Sequence, residues 1–364
     1  MTTQLDRTPS TRGSAERTAR GPKIVTEGSR EHRVVMGAAI VATAAFIVWG
    51  STLGAFEQGQ LTRVAIFAIA IAGLNIATGY VGLLSVGHSA FFGIGAYTTG
   101  ILVVKYDWDA LATVPVALVV CLVVGLFVGL PALRIRGLYL AMVTLAFGVA
   151  FPEIVAQLED LTGGSEGLNI RRQQLRPPEW SGFALGERTL WLYWLSIVVL
   201  LIVLLVTHNI VKGRYGMAMI AVRENEVAAS ASGVNIAVVK TLAFGVSGAI
   251  TGVGGSLFAM YIGSLFAEGS FTLLAGITLL IGLVIGGEAT RLGPVVGAAI
   301  VVYLPYYTQE LGSGQGAAVL FAVALIAMIF VAPAGIVGGL AKLTRRFLVI
   351  VPRPRGRQEK EDVD

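Results

Sequence analysis

The sequence predicts an all-α membrane protein, a polytopic helical bundle of about ten transmembrane segments. Hydrophobic residues make up 55% of the 364 residues and charged residues only 13%, whereas soluble domains have about 45–50% apolar and about 25% charged residues. The apolar residues fall into ten long runs, and the basic residues collect between runs and at the two ends. A surface so poor in charge is typical of a protein embedded in lipid.

Most of the ten runs approach the roughly 20 residues that an α-helix needs to cross a bilayer. The run at 84–104 is different, because it contains Gly87 and Gly93 together with His88 and Ser85. Irregular backbone at membrane depth survives only where protein or a water-filled cavity surrounds it, so this run is either a span or a broken, re-entrant segment. The runs are residues 34–54, 61–80, 84–104, 110–130, 137–155, 190–207, 239–262, 271–287, 292–307 and 317–338.

The basic residues predict the orientation. With ten spans and the N-terminus inside, 21 of the 27 Lys and Arg residues fall on the cytoplasmic side, as the positive-inside rule requires. We therefore expect a basic cytoplasmic tail at 1–33, a membrane domain at 34–340 and a cytoplasmic tail at 341–364. The net charge of +5 is explained by these topology signals, and nucleic acid is not an expected partner.

The residues that carry chemistry are sparse. Cys121 is the single cysteine, and the three histidines are far apart in the sequence, so neither a disulfide nor a metal site is expected. The phosphate-binding pattern GxxxxGK[ST] does not occur, which argues against nucleotide hydrolysis by this chain. We find no constellation suited to a membrane-embedded enzyme, and we expect no cofactor in this chain.

Two loops are longer than their connections require: residues 157–189, predicted outside, and residues 208–238, predicted inside. The inner loop has helical character over 214–232, and Gly233 follows where a helix C-cap glycine is expected. A polar patch (Arg223, Glu224, Glu226) precedes small residues (Ala228, Ala229) that would let a partner's groove approach closely. A linker helix on the membrane surface, without a partner, explains the same pattern.

Five ordered stretches resemble the LivM-type permease subunits of branched-chain amino acid importers of the ATP-binding-cassette class, and residues 226–233 resemble the loop through which such permeases contact an ATPase. The resemblance runs from about residue 35 to 340. The stretches are GLNIATGYVGLLSVGHSAFFGIGAYTTG (73–100), GLPALRIRGLYLAMVTLAFG (129–148), LTGGSEGL (161–168), GRYGMAMIAVRENEVAASASGVNIAVVKTLAF (213–244) and IGGEATRLGPVVGA (285–298).

The resemblance implies a transport subunit, not an enzyme, in the cell membrane of a bacterium. It implies a homologous second permease, two ATP-binding subunits that bind ATP and magnesium, and an extracytoplasmic substrate-binding protein. It also implies that the inner loop is the coupling helix. The residues assigned to coupling are Arg223, Glu224, Glu226, Ala228, Ala229 and Gly233.

Residues 84–97 are the candidate substrate path. Free N–H groups at a helix start attract carboxylates, such as that of an amino acid, and aromatic residues would supply an apolar wall. The alternative is that the glycines serve helix packing and that His88 is simply hydrogen-bonded. The assigned path residues are Gly87, His88, Phe91, Phe92, Gly93 and Tyr97.

The outer loop supplies a candidate docking site for the binding protein at Gly163, Gly164, Ser165 and Glu166, with an ordinary exposed loop as the alternative. For Glu288 we expect an ion pair with Arg291 at the inner boundary. Glu153 is the carboxylate in a span that merits attention, although it lies close enough to the outer end to snorkel.

Two other transport functions stay open on the sequence. A related permease for urea or short amides would share most of these stretches. An ion-coupled secondary transporter would need no ATPase, but should carry buried carboxylates and inverted repeats. The spans hold almost no acidic residues, which disfavours it.

Overall fold

The computed structural model describes residues 23–26, 30–131, 137–311, 315–331 and 335–351. The chain divides into two units, one formed by residues 1–40 with 341–364 and the other by residues 41–340. In the first unit, strand β1 (Lys23–Thr26) pairs in parallel with strand β4 (Leu348–Val351). This pairing was not expected, because both segments lie within the predicted cytoplasmic tails, where the sequence predicted no strand.

The remaining regular structure is helical, apart from a short antiparallel pair formed by β2 (Leu168–Asn169) and β3 (Ser264–Leu265). The helices in chain order are α1 (Arg30–Ser51), α2 (Ala55–Leu74), α3 (His88–Tyr106), α4 (Ala110–Gly129), α5 (Leu138–Gln157), α6 (Glu159–Thr162), α7 (Arg188–Lys212), α8 (Arg214–Glu224), α9 (Glu226–Ala231), α10 (Ile236–Ile262), α11 (Ala267–Ser270), α12 (Leu273–Gly286), α13 (Gly293–Leu311), α14 (Gln315–Val331) and α15 (Gly335–Phe347). Several single 3₁₀ turns lie between α6 and α7.

The prediction of a multi-pass helical membrane protein is confirmed. Nine of the ten apolar runs coincide largely with one helix each, and the tenth, residues 317–338, covers most of α14 and the start of α15. Among the described residues, six segments are both long and apolar enough to cross a membrane by length and composition, so the count of ten stays a prediction. The six are Ala55–Tyr80, Ala110–Gly129, Tyr139–Gln157, Arg188–Lys212, Ile236–Ile262 and Ala267–Gly286.

Helix α10 lies at the centre of the second unit and packs against α2, α3 and α4. Its glycines bring backbones into direct contact. A Cβ atom at Gly95 of α3 would collide with the carbonyl oxygen of Gly252, and one at Gly255 would collide with the carbonyl oxygen of Phe92. Small residues at helix crossings are the usual way to bring membrane helices together, and Gly95, Gly252 and Gly255 serve that packing here.

Hydroxyl groups connect the same helices. Thr99 of α3 lies 2.6 Å from Ser256 of α10, oxygen to oxygen, and Thr113 of α4 donates to Thr99 at 3.0 Å. All three side chains are buried. In an apolar interior a polar group without a partner destabilises the fold, and these mutual hydrogen bonds remove that penalty.

The backbone between α2 and α3 is irregular. A π-helical turn (Asn75–Tyr80) continues α2, and residues 81–87 are not helical before α3 begins at His88. Hydrogen bonds within this stretch and to α5 replace the helical ones: Leu83 N donates to Ala77 O, and Val86 N donates to Thr144 Oγ1. The run at 84–104 therefore starts with four non-helical residues and continues as one helix.

Candidate coupling and transport sites

The inner loop contains two helices, α8 and α9, where the sequence predicted one. They are separated at Asn225, whose backbone is extended and whose Oδ1 accepts hydrogen bonds from Val227 N (2.9 Å) and Ala228 N (3.0 Å). An asparagine that satisfies the first N–H groups of a helix is a strong N-cap. The predicted single helix over 214–232 is thus wrong at one residue, because Asn225 starts a new helix.

Helix α9 ends as predicted at Gly233. Gly233 has φ +82° and donates its N–H to Ser230 O, while Val234 donates to Ala229 O. This pair of bonds is the Schellman arrangement, which places a glycine in the left-handed region just beyond the helix. The geometry fixes the direction in which the chain returns to α10.

An ion pair ties α9 to α10. The ammonium of Lys240 lies 2.7 Å from Glu226 Oε1, and the Lys240 side chain is only 2% exposed while that of Glu226 is 25% exposed. A lysine is rarely buried so fully unless it is paired. Glu226, assigned to coupling from the sequence, therefore holds the loop to the bundle through Lys240.

Arg223 connects the end of α8 to two other elements. Its guanidinium donates to the carbonyl oxygen of Gly79, in the π-helical turn, and its Nη2 lies 3.5 Å from Glu288 Oε2. The expected pair between Glu288 and Arg291 is wrong: Glu288 pairs with Arg223, because the inner loop folds back against the turn at 287–290.

Asn75 completes this junction between α2 and the turn at 287–290. Its Oδ1 accepts from Ala289 N (2.9 Å), and its Nδ2 donates to Thr290 O (3.0 Å). Ala289 has φ +53°, a strained value for a residue other than glycine. We use the term inner junction for Asn75, Gly79, Arg223, Glu288 and Ala289. It joins three segments that are distant in the sequence.

The residues assigned to coupling from the sequence are not equally accessible. Glu224, Ala228 and Gly233 are exposed, whereas Ala229 is 4% exposed and packs inward. Val227 was not assigned, yet its side chain is 74% exposed at the start of α9. The exposed face of α9 thus includes a valine.

At the start of α3, His88 is completely buried and bonded at both ring nitrogens. Its Nδ1 lies 2.8 Å from Ser85 Oγ and its Nε2 lies 2.7 Å from Ser247 Oγ. Ser247 donates its own proton to Gly73 O at 2.6 Å, so it accepts from Nε2–H, and Ser85 donates to Nδ1. A neutral imidazole satisfies every donor and acceptor in this series of hydrogen bonds, which supports a structural role for His88.

The other residues assigned to the path lie in the same interior. Phe91, Phe92 and Tyr97 are each 3% exposed or less, and a Cβ atom at Gly87 or Gly93 would collide with α5. The aromatic rings form a cluster with centroid separations of 5.1 Å for Phe92–Phe258 and 5.8 Å for Tyr97–Phe271. Their contact with substrate stays a prediction.

The outer loop is anchored where it leaves α5. Thr162 Oγ1 donates to Val155 O at 2.7 Å, and Gly163, Gly164 and Gly167 all have positive φ. Gly164 is buried, whereas Gly163, Ser165 and Glu166 are exposed. The geometry gives a fixed, solvent-facing turn, and its docking role stays a prediction. Glu153 is exposed on α5.

Comparison with known proteins gives consistent matches. Residues 58–334 match the family described as branched-chain amino acid transport system / permease component. The chain is 29% identical over 303 residues to the LivM permease protein of the high-affinity branched-chain amino acid transport system of Salmonella typhimurium, covering 78% of this chain and 71% of that protein.

The corresponding protein of Escherichia coli gives the same identity and coverage. A probable LivM permease protein of Methanocaldococcus jannaschii is 22% identical over 238 residues, covering 61% of this chain and 67% of that protein. No solved structure matches this chain.

Proposed function

This chain belongs to the family of permease components of branched-chain amino acid transport systems, and on that premise we propose that it is the membrane-spanning permease subunit of an ATP-driven importer for branched-chain amino acids. The observation that carries the proposal is the family match over residues 58–334. The relatives named as high-affinity branched-chain amino acid permeases support the substrate class.

The proposal includes an assembly. A homologous second permease would share the substrate path, two ATP-binding subunits would hold ATP and magnesium, and an extracytoplasmic binding protein would deliver the amino acid. The proposed topology has ten spans with both termini in the cytoplasm, which the bias of Lys and Arg toward one side supports. Hydrolysis would then be supplied entirely by the ATP-binding subunits.

The inner loop suits a coupling role because it presents an exposed face and is tied to the bundle behind it. An ATP-binding subunit would contact Glu224, Val227 and Ala228 on the outer face of the loop. Behind that face, Glu226 of α9 is bonded to Lys240 of α10, and Arg223 of α8 is bonded to Gly79 and Glu288 in the inner junction. A displacement of α9 would therefore act on α10 and on the π-helical turn together.

Reconstituted transport tests the function. The chain is co-expressed with the other subunits, purified, and placed in liposomes with internal ATP or a non-hydrolysable analogue. We expect labelled leucine to enter only with ATP and binding protein, and unlabelled urea or short amides not to compete. Uptake that survives ATP depletion would exclude an ATP-driven importer and favour an ion-coupled transporter. Competition by urea or short amides would favour the related amide permease.

A matched pair of variants tests the coupling face. Val227→Asp places a charge on the exposed start of α9, and we expect it to reduce co-purification of the ATP-binding subunits and uptake by about tenfold or more. Val238→Asp makes the same change at another exposed valine, beyond Gly233, and should keep the complex. Equal co-purification and equal uptake in the two variants would show that α9 is not part of the interface.

A further inference from the structure

An open cavity of about 470 Å³ lies at the end of the bundle opposite the inner loop. It is formed where α3 ends and α4 begins, against residues 173–180 of the outer loop. This volume is within the range of sites that hold ligands or side chains in proteins. In the proposed topology it faces the side from which the binding protein arrives.

Three carboxylates line the cavity, against one guanidinium. Asp107 accepts from Gln174 Nε2 at 3.1 Å, and Asp109 caps α4 by accepting from Leu111 N at 2.9 Å. Glu179 makes no hydrogen bond or ion pair within the described part of the chain. The lining therefore has a net negative charge, and one of its carboxylates has no role in holding the loop.

Two tryptophans stand at the same cavity. Trp108 is 46% exposed and Trp180 is 75% exposed, with the ring of Trp180 packed edge-on against Trp191 at 5.9 Å. Tryptophan is common at the membrane surface, which would account for one exposed ring. Here two such rings also line one cavity together with carboxylates. Indole faces and carboxylates are the groups that hold a cationic side chain.

We propose that this cavity receives a lysine or arginine side chain of the extracytoplasmic substrate-binding protein. The inference rests on the proposed function, because it takes the binding protein as the partner. Glu179 and its neighbours attract the cation, and the rings of Trp108 and Trp180 cover its aliphatic part. The contact is separate from the turn at 163–166, none of whose residues lines the cavity.

The charge is tested in the complete transporter, held in lipid nanodiscs, by titrating its binding protein. We expect Glu179→Lys to weaken the affinity about tenfold at low salt, with a smaller loss for Glu179→Gln and a difference that shrinks at high salt. Glu57→Lys reverses an exposed charge on the same side in the proposed topology, outside both the cavity and the turn at 163–166, and we expect less than a twofold change. Unchanged affinity in Glu179→Lys would overturn the proposal, as would an equal loss in Glu57→Lys.

The position is tested by photocross-linking. Cys121 is the single cysteine and is buried, so Glu179→Cys introduces one accessible thiol for a benzophenone maleimide. We expect the adduct on the binding protein, next to a lysine or arginine, and loss of the adduct when that residue is changed to glutamine. An adduct only on other subunits or lipid, in a complex that still binds the binding protein, would overturn the proposal.

Measurements on the wild-type transporter distinguish a failure of the proposed function from a failure of the cavity inference. If it neither binds a binding protein nor takes up leucine with ATP, the proposed function fails. If it does both and Glu179→Lys binds equally well, only the cavity inference fails.

Discussion

Arg223 and Glu288, which are 65 positions apart in the sequence, form an ion pair with Nη2 and Oε2 3.5 Å apart. The two side chains are 37% and 39% exposed, and the guanidinium also donates to the carbonyl oxygen of Gly79. One arginine of the inner loop thus holds both the π-helical turn that continues α2 and the turn that precedes α13.

A double-mutant cycle on this pair should show a small, real coupling. Partly exposed ion pairs contribute about 0.2–1 kcal/mol, so we expect Arg223→Ala and Glu288→Ala to be non-additive by that amount in unfolding free energy. Arg223→Ala should be the more damaging single change, because it also removes the donor to Gly79. Denaturant unfolding of the purified permease in detergent measures both values, and strict additivity would contradict the pair.

Replacing Glu226 should lower the free energy of unfolding far more than the loss of an exposed ion pair would. Glu226→Gln leaves the buried Lys240 ammonium without its carboxylate, and breaking a buried pair in this way typically costs about 3–5 kcal/mol. Adding Lys240→Met to Glu226→Gln should recover most of the lost stability. Thermal unfolding compares the three proteins, and a double variant no more stable than Glu226→Gln would show that Lys240 is not the group left unpaired.

Asn225→Ala should loosen α9 while leaving the bundle intact. Loss of an N-cap typically costs about 1 kcal/mol, and Asn225→Asp keeps an acceptor for Val227 N and Ala228 N. We expect faster hydrogen exchange at these two amides in Asn225→Ala and near wild-type exchange in Asn225→Asp. Equal exchange in all three proteins would mean that the cap does not hold α9.

Ser247→Ala separates the two interpretations of His88. The variant leaves His88 Nε2–H without its acceptor, which should lower the unfolding free energy by about 1–3 kcal/mol. If His88 is structural, as its two bonds indicate, uptake per assembled transporter should stay close to wild type. Uptake that falls severalfold while assembly is unchanged would return His88 to the substrate path.

Local patterns allowed most of the helices to be predicted. The ten apolar runs all correspond to helical segments. Gly233 follows the end of α9, where the sequence predicted a helix C-cap glycine. The break at Asn225 was missed because the surrounding alanines and methionines favour helix on both sides of it. An asparagine followed by Glu226 carries an N-cap signal, and in this loop that signal prevailed over propensity.

The contacts of the candidate sites were less accessible from the sequence. Arg291 is the near neighbour of Glu288 in the chain, yet Arg223 is its partner, because only the folded loop brings residue 223 to the turn. Lys240 is the second residue of the apolar run at 239–262, and its burial beneath Glu226 cannot be predicted from hydropathy. Long-range pairs of this kind depend on how helices pack, and periodicity describes single helices.

The backbone contacts of α10 have a mechanical consequence. Where Gly95 meets Gly252 and Gly255 meets Phe92, backbone atoms of the two helices are in direct contact with no side chain between them. A change of side-chain rotamer therefore cannot accommodate a shift of one helix along the other. Helices α3 and α10 should therefore move as one rigid body during a transport cycle. Hinges and opening surfaces belong outside this pair of helices, where α4, α5 and α7 keep most of their apolar faces uncovered.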